Sequence, residues 1–410
     1  MTKQNLSRRK FLQLTGILGS AVFLQACQNR LTPTATTSSL SPTATGTRAA
    51  TRTPRPSPTT AATDTPAAIE AAGPVSPIAE PSPAPLQPSP TPVPTPYPPG
   101  DPSKLGVFLT RFDSQALNLI EQGKPPLVKT LELDGNFAKG IKELSPNTIL
   151  IGRMRLGQMD LDAEPLALAR QFVNELRPIA TDPIRMAAFD AWEAYNEPVA
   201  DTPDKMKRFA DFEAERTRLL AAEGIRSVVG NFATGHPPLE LWPDFSPALA
   251  AIRQYDGYLG LHEYSAPIMQ FGFGALQPNG GADEGDEGWL TVRYRKAYRQ
   301  YLQPMGYGDT PLLITECGVD GLVGNRPGPA DALGWRDFIS TWLDNGLRND
   351  PPGVYMDQLI WYDNELQKDD YVKGAAIFVL GASPGWESYD ISGRTADLLL
   401  QYLMVHQTQK

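Results

Sequence analysis

The sequence is poor in the residues that build metal and thiol sites. Its 410 residues include two cysteines and three histidines. Neither Cys27 nor Cys317 has a neighbour at metal-ligand spacing, and a disulfide between them would have to join an N-terminal segment to the core. No structural zinc, no other metal and no organic cofactor is expected. Positive charge is short as well, but only in part of the chain. Residues 1–100 carry eight Lys/Arg against three Asp/Glu, whereas 101–410 carry 29 against 43. A balance of −14 over the body disfavours nucleic acid as a partner and says little about neutral ligands, which need no charge steering. No glycine-rich loop follows the first apolar run of the body, which argues against a dinucleotide site.

Residues 31–100 lack runs of large apolar side chains and are filled with Pro, Thr and Ser instead, as in TRTPRPSPTT and TPVPTPYPPG. Pro fixes φ and removes a backbone donor, so 28–100 is expected to be an extended, partly polyproline II tether, with Thr and Ser open to O-linked sugar. Residues 101–410 remain, enough for one large core or two modest ones.

The first thirty residues read MTKQNLSRRKFLQLTGILGSAVFLQACQNR. Arg8, Arg9 and Lys10 precede an apolar run over 11–23 that covers every helix face, too short and wrongly flanked for an ordinary membrane span. SRRKFLQL resembles a twin-arginine export signal, and LQAC at 24–27 resembles a bacterial lipobox, with Gln25 where a small residue is usual. The resemblance implies passage through the twin-arginine machinery, a signal over 1–27 and a lipid anchor on Cys27. The protein would then sit on the outer face of a bacterial membrane, with the tether holding a folded domain clear of it.

Through the body, short apolar runs alternate with helical pattern. Strands are expected at 104–110, 127–133, 148–154, 187–195, 226–232, 258–264, 311–317 and 358–362. Helices are expected at 161–179, 203–223, 247–254, 291–302, 332–345 and 395–405, the second opening on Pro203 and closing before Gly224. The Gly-rich, acidic stretch 267–289 reads as a loop. Eight strand-to-helix alternations whose strands are apolar on both faces fit a (β/α)₈ barrel over 101–410, an α/β fold, with a doubly wound sheet as the alternative.

Chemistry in such a barrel gathers at the carboxyl ends of the strands. Glu197 and Glu316 lie there on the fourth and seventh strands, which face each other across the mouth. Each alone could be a salt-bridged structural residue. Together they can supply the acid and the nucleophile of a retaining glycosidase, whose two carboxyls stand about 5–5.5 Å apart. AYNEP (194–198) and ITECG (314–318) resemble the strand-four N-E-P and strand-seven T-E-x-G motifs of the glycoside hydrolase superfamily called clan A, which includes families 5 and 39. That resemblance implies Glu197 as acid/base, Glu316 as nucleophile and Asn196 as a donor to the sugar 2-hydroxyl. It further implies Arg153 beside the nucleophile, Tyr264 orienting it, His262 touching sugar or acid/base, and Trp361 as the platform under the sugar.

Each of these has a plain structural counterpart: Arg153 paired with loop acids, His262 satisfied in the core, Trp361 packed in it. Glu193 reads as a deeper-layer residue, Glu263 as facing away from His262 and Tyr264, and Glu365 as a loop residue that could meet substrate. The expected function is retaining hydrolysis of a β-linked glycan by a monomer. A transglycosylase using the same carboxylates, a non-catalytic glycan-binding surface lipoprotein and a purely structural lipoprotein are the rivals.

Overall fold

The computed structural model describes residues 97–274, 285–324 and 326–407. The export signal, Cys27, tether residues 28–96 and the middle of the Gly-rich stretch lie outside the described residues.

Eight strands make one parallel sheet: β1 (Leu105–Leu109), β2 (Leu127–Thr130), β3 (Ile149–Gly152), β4 (Ala191–Trp192), β5 (Val228–Phe232), β6 (Tyr258–Ser265), β7 (Leu312–Val319) and β8 (Val372–Leu380). Their order is β4-β3-β2-β1-β8-β7-β6-β5. A parallel bridge between Trp192 and Ser227 brings the two edges together, so the sheet closes into a (β/α)₈-type barrel.

Strand alternation divides the apolar residues into two layers. Phe108, Leu127, Ile151, Ala191, Val228, Leu313, Ala376 and Phe378 cluster in the lumen. Val107, Val128, Leu150, Val229, Leu259, Leu312 and Ile377 belong to the larger core between sheet and helices. Cys317 is buried in that outer layer, facing away from the lumen, and burial pushes its thiol up.

Two expected strands are corrected. The fourth, read over 187–195, is regular only at Ala191–Trp192, because Pro183–Ala188 is a short helix capped by Asp182, whose carboxylate accepts from Arg185 N. The eighth, read at 358–362, is part of a helix, Pro351–Leu366, and the true β8 lies at Val372–Leu380. That helix buries Tyr355, Leu359, Tyr362 and Leu366 at helical spacing, but Ile360 and Trp361 fill the positions between, so QLIWY by itself reads as a continuous apolar run like a buried strand.

The seam between β4 and β5 is held from outside. Arg216, on the intervening helix Pro203–Ala221, is fully buried and bonds the carbonyls of Trp192 (3.3 Å) and Val228 (2.9 Å). Its charge is balanced by Glu213, which also accepts from Gly230 N. One ion pair thus ties the helix to both edge strands. No helix among the described residues is long and apolar enough to cross a membrane.

Candidate active site

Glu316 lies near the carboxyl end of β7, paired in register with His262 of β6. It is 6% exposed and surrounded by donors. Lys129 Nζ (2.9 Å) and Arg153 Nη1 (3.0 Å) donate to its Oε1, and Tyr264 Oη donates to its Oε2 (2.8 Å). Burial alone would raise its pKa, but His262, Lys129 and Arg153 outweigh that cost and hold the carboxyl well below the usual range. The Tyr264 phenol is pushed far up, first by burial and then by the facing carboxylates, so it stays a hydrogen-bond donor.

Lys129 has a second partner, Glu193, at 2.8 Å, and both side chains are fully buried. Glu193 also lies 3.6 Å from Arg153. The floor of the site is therefore an alternating network of two cations and two anions under the barrel mouth. Buried charge of this kind persists only when every member is paired.

Glu197 is in a different setting. Its backbone takes the left-handed conformation (φ 48°), and its N–H donates to the Asn231 carbonyl across the seam. A non-glycine residue held there stores strain, commonly at functional positions. The side chain is 26% exposed, and its Oε1 lies 2.7 Å from His262 Nδ1. Asn196, just before it, accepts from Arg153 through its amide oxygen, which leaves its NH₂ directed elsewhere. His262 also lies 3.7 Å from Glu316 Oε2. One oxygen of each glutamate and a His262 ring nitrogen all fall within 4.8 Å of one another. Donors at such spacing can also hold a metal ion, but Lys129 and Arg153 already bring two positive charges against Glu316, so the cluster is built as an ion-pair network. A buried Glu/His/Glu cluster at the barrel mouth is consistent with a hydrolase active site.

Arg153, Asn196, Glu197, His262, Tyr264 and Glu316 are thus brought into one site. Trp361 is not. It sits on the helix Pro351–Leu366 outside the barrel wall, with its ring 5.4 Å from Phe273 and 6.3 Å from Tyr362. The aromatic that β8 contributes to the lumen is Phe378, 5.3 Å from Phe108, 6.3 Å from Tyr264 and 5.1 Å from the exposed Trp386 beyond the strand end. Glu365 is likewise away from the mouth, at the end of that helix and paired with Arg295 at 2.9 Å.

Glu263 faces outward, as strand alternation requires. It accepts from Val292 N (2.6 Å), Tyr294 N (2.9 Å) and Tyr362 Oη (2.7 Å), and burial raises it to about 7 against those bonds. Sequence reasoning missed Lys129, whose signal was a lone cation in the middle of the apolar run LVKTL. It also missed Asp320, just past β7. Burial, aided by Glu197 and Glu316, raises Asp320 to about 6 despite bonds from Leu322 N and Tyr389 Oη.

No protein-family model matches the chain, and no curated protein sequence matches it. Solved structures to which it is similar include a GH2 β-galacturonidase from Eisenbergiella tayi, at 14% identity over 76% of this chain and 52% of that one, with a TM-score of 0.45. An endo-β-1,4-mannanase from Thermotoga petrophila shares 12% identity over 75% of this chain and 78% of its own, with a TM-score of 0.40. A GH128 endo-β-1,3-glucanase from Pseudomonas viridiflava shares 12% over 74% and 98%, with a TM-score of 0.37. The chain spans about half the length of the β-galacturonidase. Likenesses this slight carry no argument about activity, which rests on the site's own geometry.

Proposed function

We propose that the protein is a retaining glycoside hydrolase acting on β-linked glycans. The observation that carries this reading is the pairing of Glu197 with Glu316. Their near oxygens fall within a 4.8 Å cluster, close to the roughly 5–5.5 Å separation of carboxyls in retaining enzymes. Their surroundings differ in the sense the chemistry needs. Glu316, against two cations and a phenol, is kept ionised. Glu197 is partly exposed at the mouth, with its Oε1 2.7 Å from His262 Nδ1, and so can reach a departing oxygen.

In the first step, Glu316 forms a bond to the anomeric carbon as the glycosidic C–O bond breaks and Glu197 protonates the departing oxygen. In the second, Glu197 takes a proton from water as that water displaces Glu316, and the configuration is retained. Arg153 and Tyr264 hold the nucleophile in line. Asn196, its oxygen anchored by Arg153, offers its NH₂ to a sugar hydroxyl. His262 holds the Glu197 carboxyl by its Nδ1. We further infer export through the twin-arginine machinery and lipid anchoring at Cys27, which the N-terminal motifs support.

Reducing-end release from a panel of cell-wall and storage polysaccharides tests the reading. The wild-type protein should release sugar from at least one β-glycan, and Glu197→Gln should lower kcat by about 10²–10⁴-fold, the usual worth of a positioned acid/base. Turnover that survives Glu316→Ala unchanged would remove the nucleophile assignment.

A further inference from the structure

The two nitrogens of His262 face opposite chemistry. Nδ1 has carboxylates before it: Glu197 Oε1 at 2.7 Å and Glu316 Oε2 at 3.7 Å. Nε2, on a residue only 2% exposed, has no hydrogen-bond partner among the described residues. The ring borders a cavity lined also by His236, Trp242, Glu263 and Arg293, with room for about one water.

Trp242 stands on the short 3₁₀ helix Leu239–Phe245 after β5, its ring held edge-on by Phe232 (5.7 Å) and Phe245 (6.0 Å). It is 1% exposed, and its Nε1–H is unpartnered among the described residues. Arg293 is nearly buried too. Its Nη2 donates to the Pro237 carbonyl (2.8 Å), and it makes no ion pair among the described residues. Burial pulls Arg293 down to about 10, against Glu263 and Glu240, so it is still a cation near neutral pH. Glu263 has both oxygens engaged by Val292 N, Tyr294 N and Tyr362 Oη. His236 is pushed below its ordinary range by burial and then by Arg293.

An indole N–H and a guanidinium can only donate. A water between them accepts from both and has its own protons left to give. The ring nitrogen facing such a water must accept, so the proton of a neutral imidazole belongs on the other nitrogen. Protonating both nitrogens would turn an N–H onto donors and set a second positive charge beside Arg293.

We propose that Trp242 and Arg293 are positioning residues for the acid/base: through one water in this cavity they hold His262 as the tautomer with its proton on Nδ1, directed at Glu197. This rests on the glycosidase reading and deepens it. With Nδ1–H donated to Oε1, the proton that Glu197 carries sits on Oε2, which makes no hydrogen bond among the described residues and is free to reach the departing oxygen. In the other tautomer the Nδ1 lone pair draws that proton to Oε1, and it points into the wall instead of at the glycosidic bond.

The test is the nitrogen NMR spectrum of the imidazoles in the full chain labelled at histidine. The sequence has three histidines, and loss of one signal in His262→Gln identifies the one that matters. In the wild-type protein His262 should show a protonated Nδ1 and an unprotonated Nε2. Trp242→Phe keeps an aromatic ring but removes the N–H. It should give a mixture of tautomers and lower kcat roughly fivefold with KM little changed, as loss of one hydrogen bond's net worth does. Arg293→Met should do the same, while Arg293→Lys, which keeps a charged donor, should restore most of the Nδ1–H form; a purely structural role would leave the tautomer alone. Wild-type His262 protonated on Nε2, which needs no variant to be seen, or a tautomer unmoved in either Trp242→Phe or Arg293→Met, would overturn the proposal. If the tautomer shifts as stated yet the wild-type protein releases sugar from no glycan, the hydrolase reading falls and the control of His262 stands.

Discussion

Lys129 shows how much one side chain decides at this site. It is fully buried and salt-bridged to Glu193 and Glu316 at once, and so helps hold the charge on Glu316. Glu316 is depressed because His262, Lys129 and Arg153 together overcome its burial. Removing one cation must therefore raise its pKa. Since attack needs the ionised form, the acid limb of kcat/KM should move to higher pH in Lys129→Met, read from a pH–rate profile. An unmoved limb would show that Glu316 does not govern it. The same depressed pKa contributes stability that is present above the unfolded carboxyl value of about 4.3 and is lost as the pH falls toward the folded one. The two glutamates were legible from the sequence because each ends an apolar run with a distinctive neighbour, Asn196 before one and Thr315 before the other. Lys129 was not, because its meaning lies in a partner 187 residues away across the lumen.

Among the elements, six strands were legible: β1, β2, β3, β5, β6 and β7 are short runs buried on both faces and bounded by turn or helix signals. β4 and β8 were not. β4 is two residues long, and the chain beyond it leaves regular pairing to place Glu197 in a left-handed turn. β8 was displaced because the buried helix before it resembles a strand in composition, and that error carried Trp361 into the site and missed Phe378, the aromatic that β8 turns into the lumen. The short β4 also explains why the seam needs Arg216, which bonds carbonyls on both sides of it. Arg216→Met should leave Glu213 as an uncompensated buried charge and cost about 3–5 kcal/mol in denaturant unfolding. A loss under about 1 kcal/mol would mean that the seam closes without this pair.

For the molecule as a whole, two raised carboxyls give stability a pH slope. Glu263, raised from 4.5 to about 7, and Asp320, raised from 3.8 to about 6, both bind protons more tightly folded than unfolded. Their contribution is complete below the unfolded values and is lost as the pH rises through 6 to 7. Melting temperature should fall across that window, and Asp320→Asn should flatten its lower half. A flat wild-type profile from pH 4 to 7 would contradict the assigned burial. Beyond the described residues, Cys27→Ser should move the protein from the membrane fraction to the soluble exported fraction, read by cell fractionation. No measurement reaches the central claim more directly than the anomeric configuration of the first product, followed by proton NMR on the glycan that the panel identifies. The account predicts that the β-anomer forms first and mutarotates afterwards. An α-anomer formed first from a β-linked glycan would contradict it.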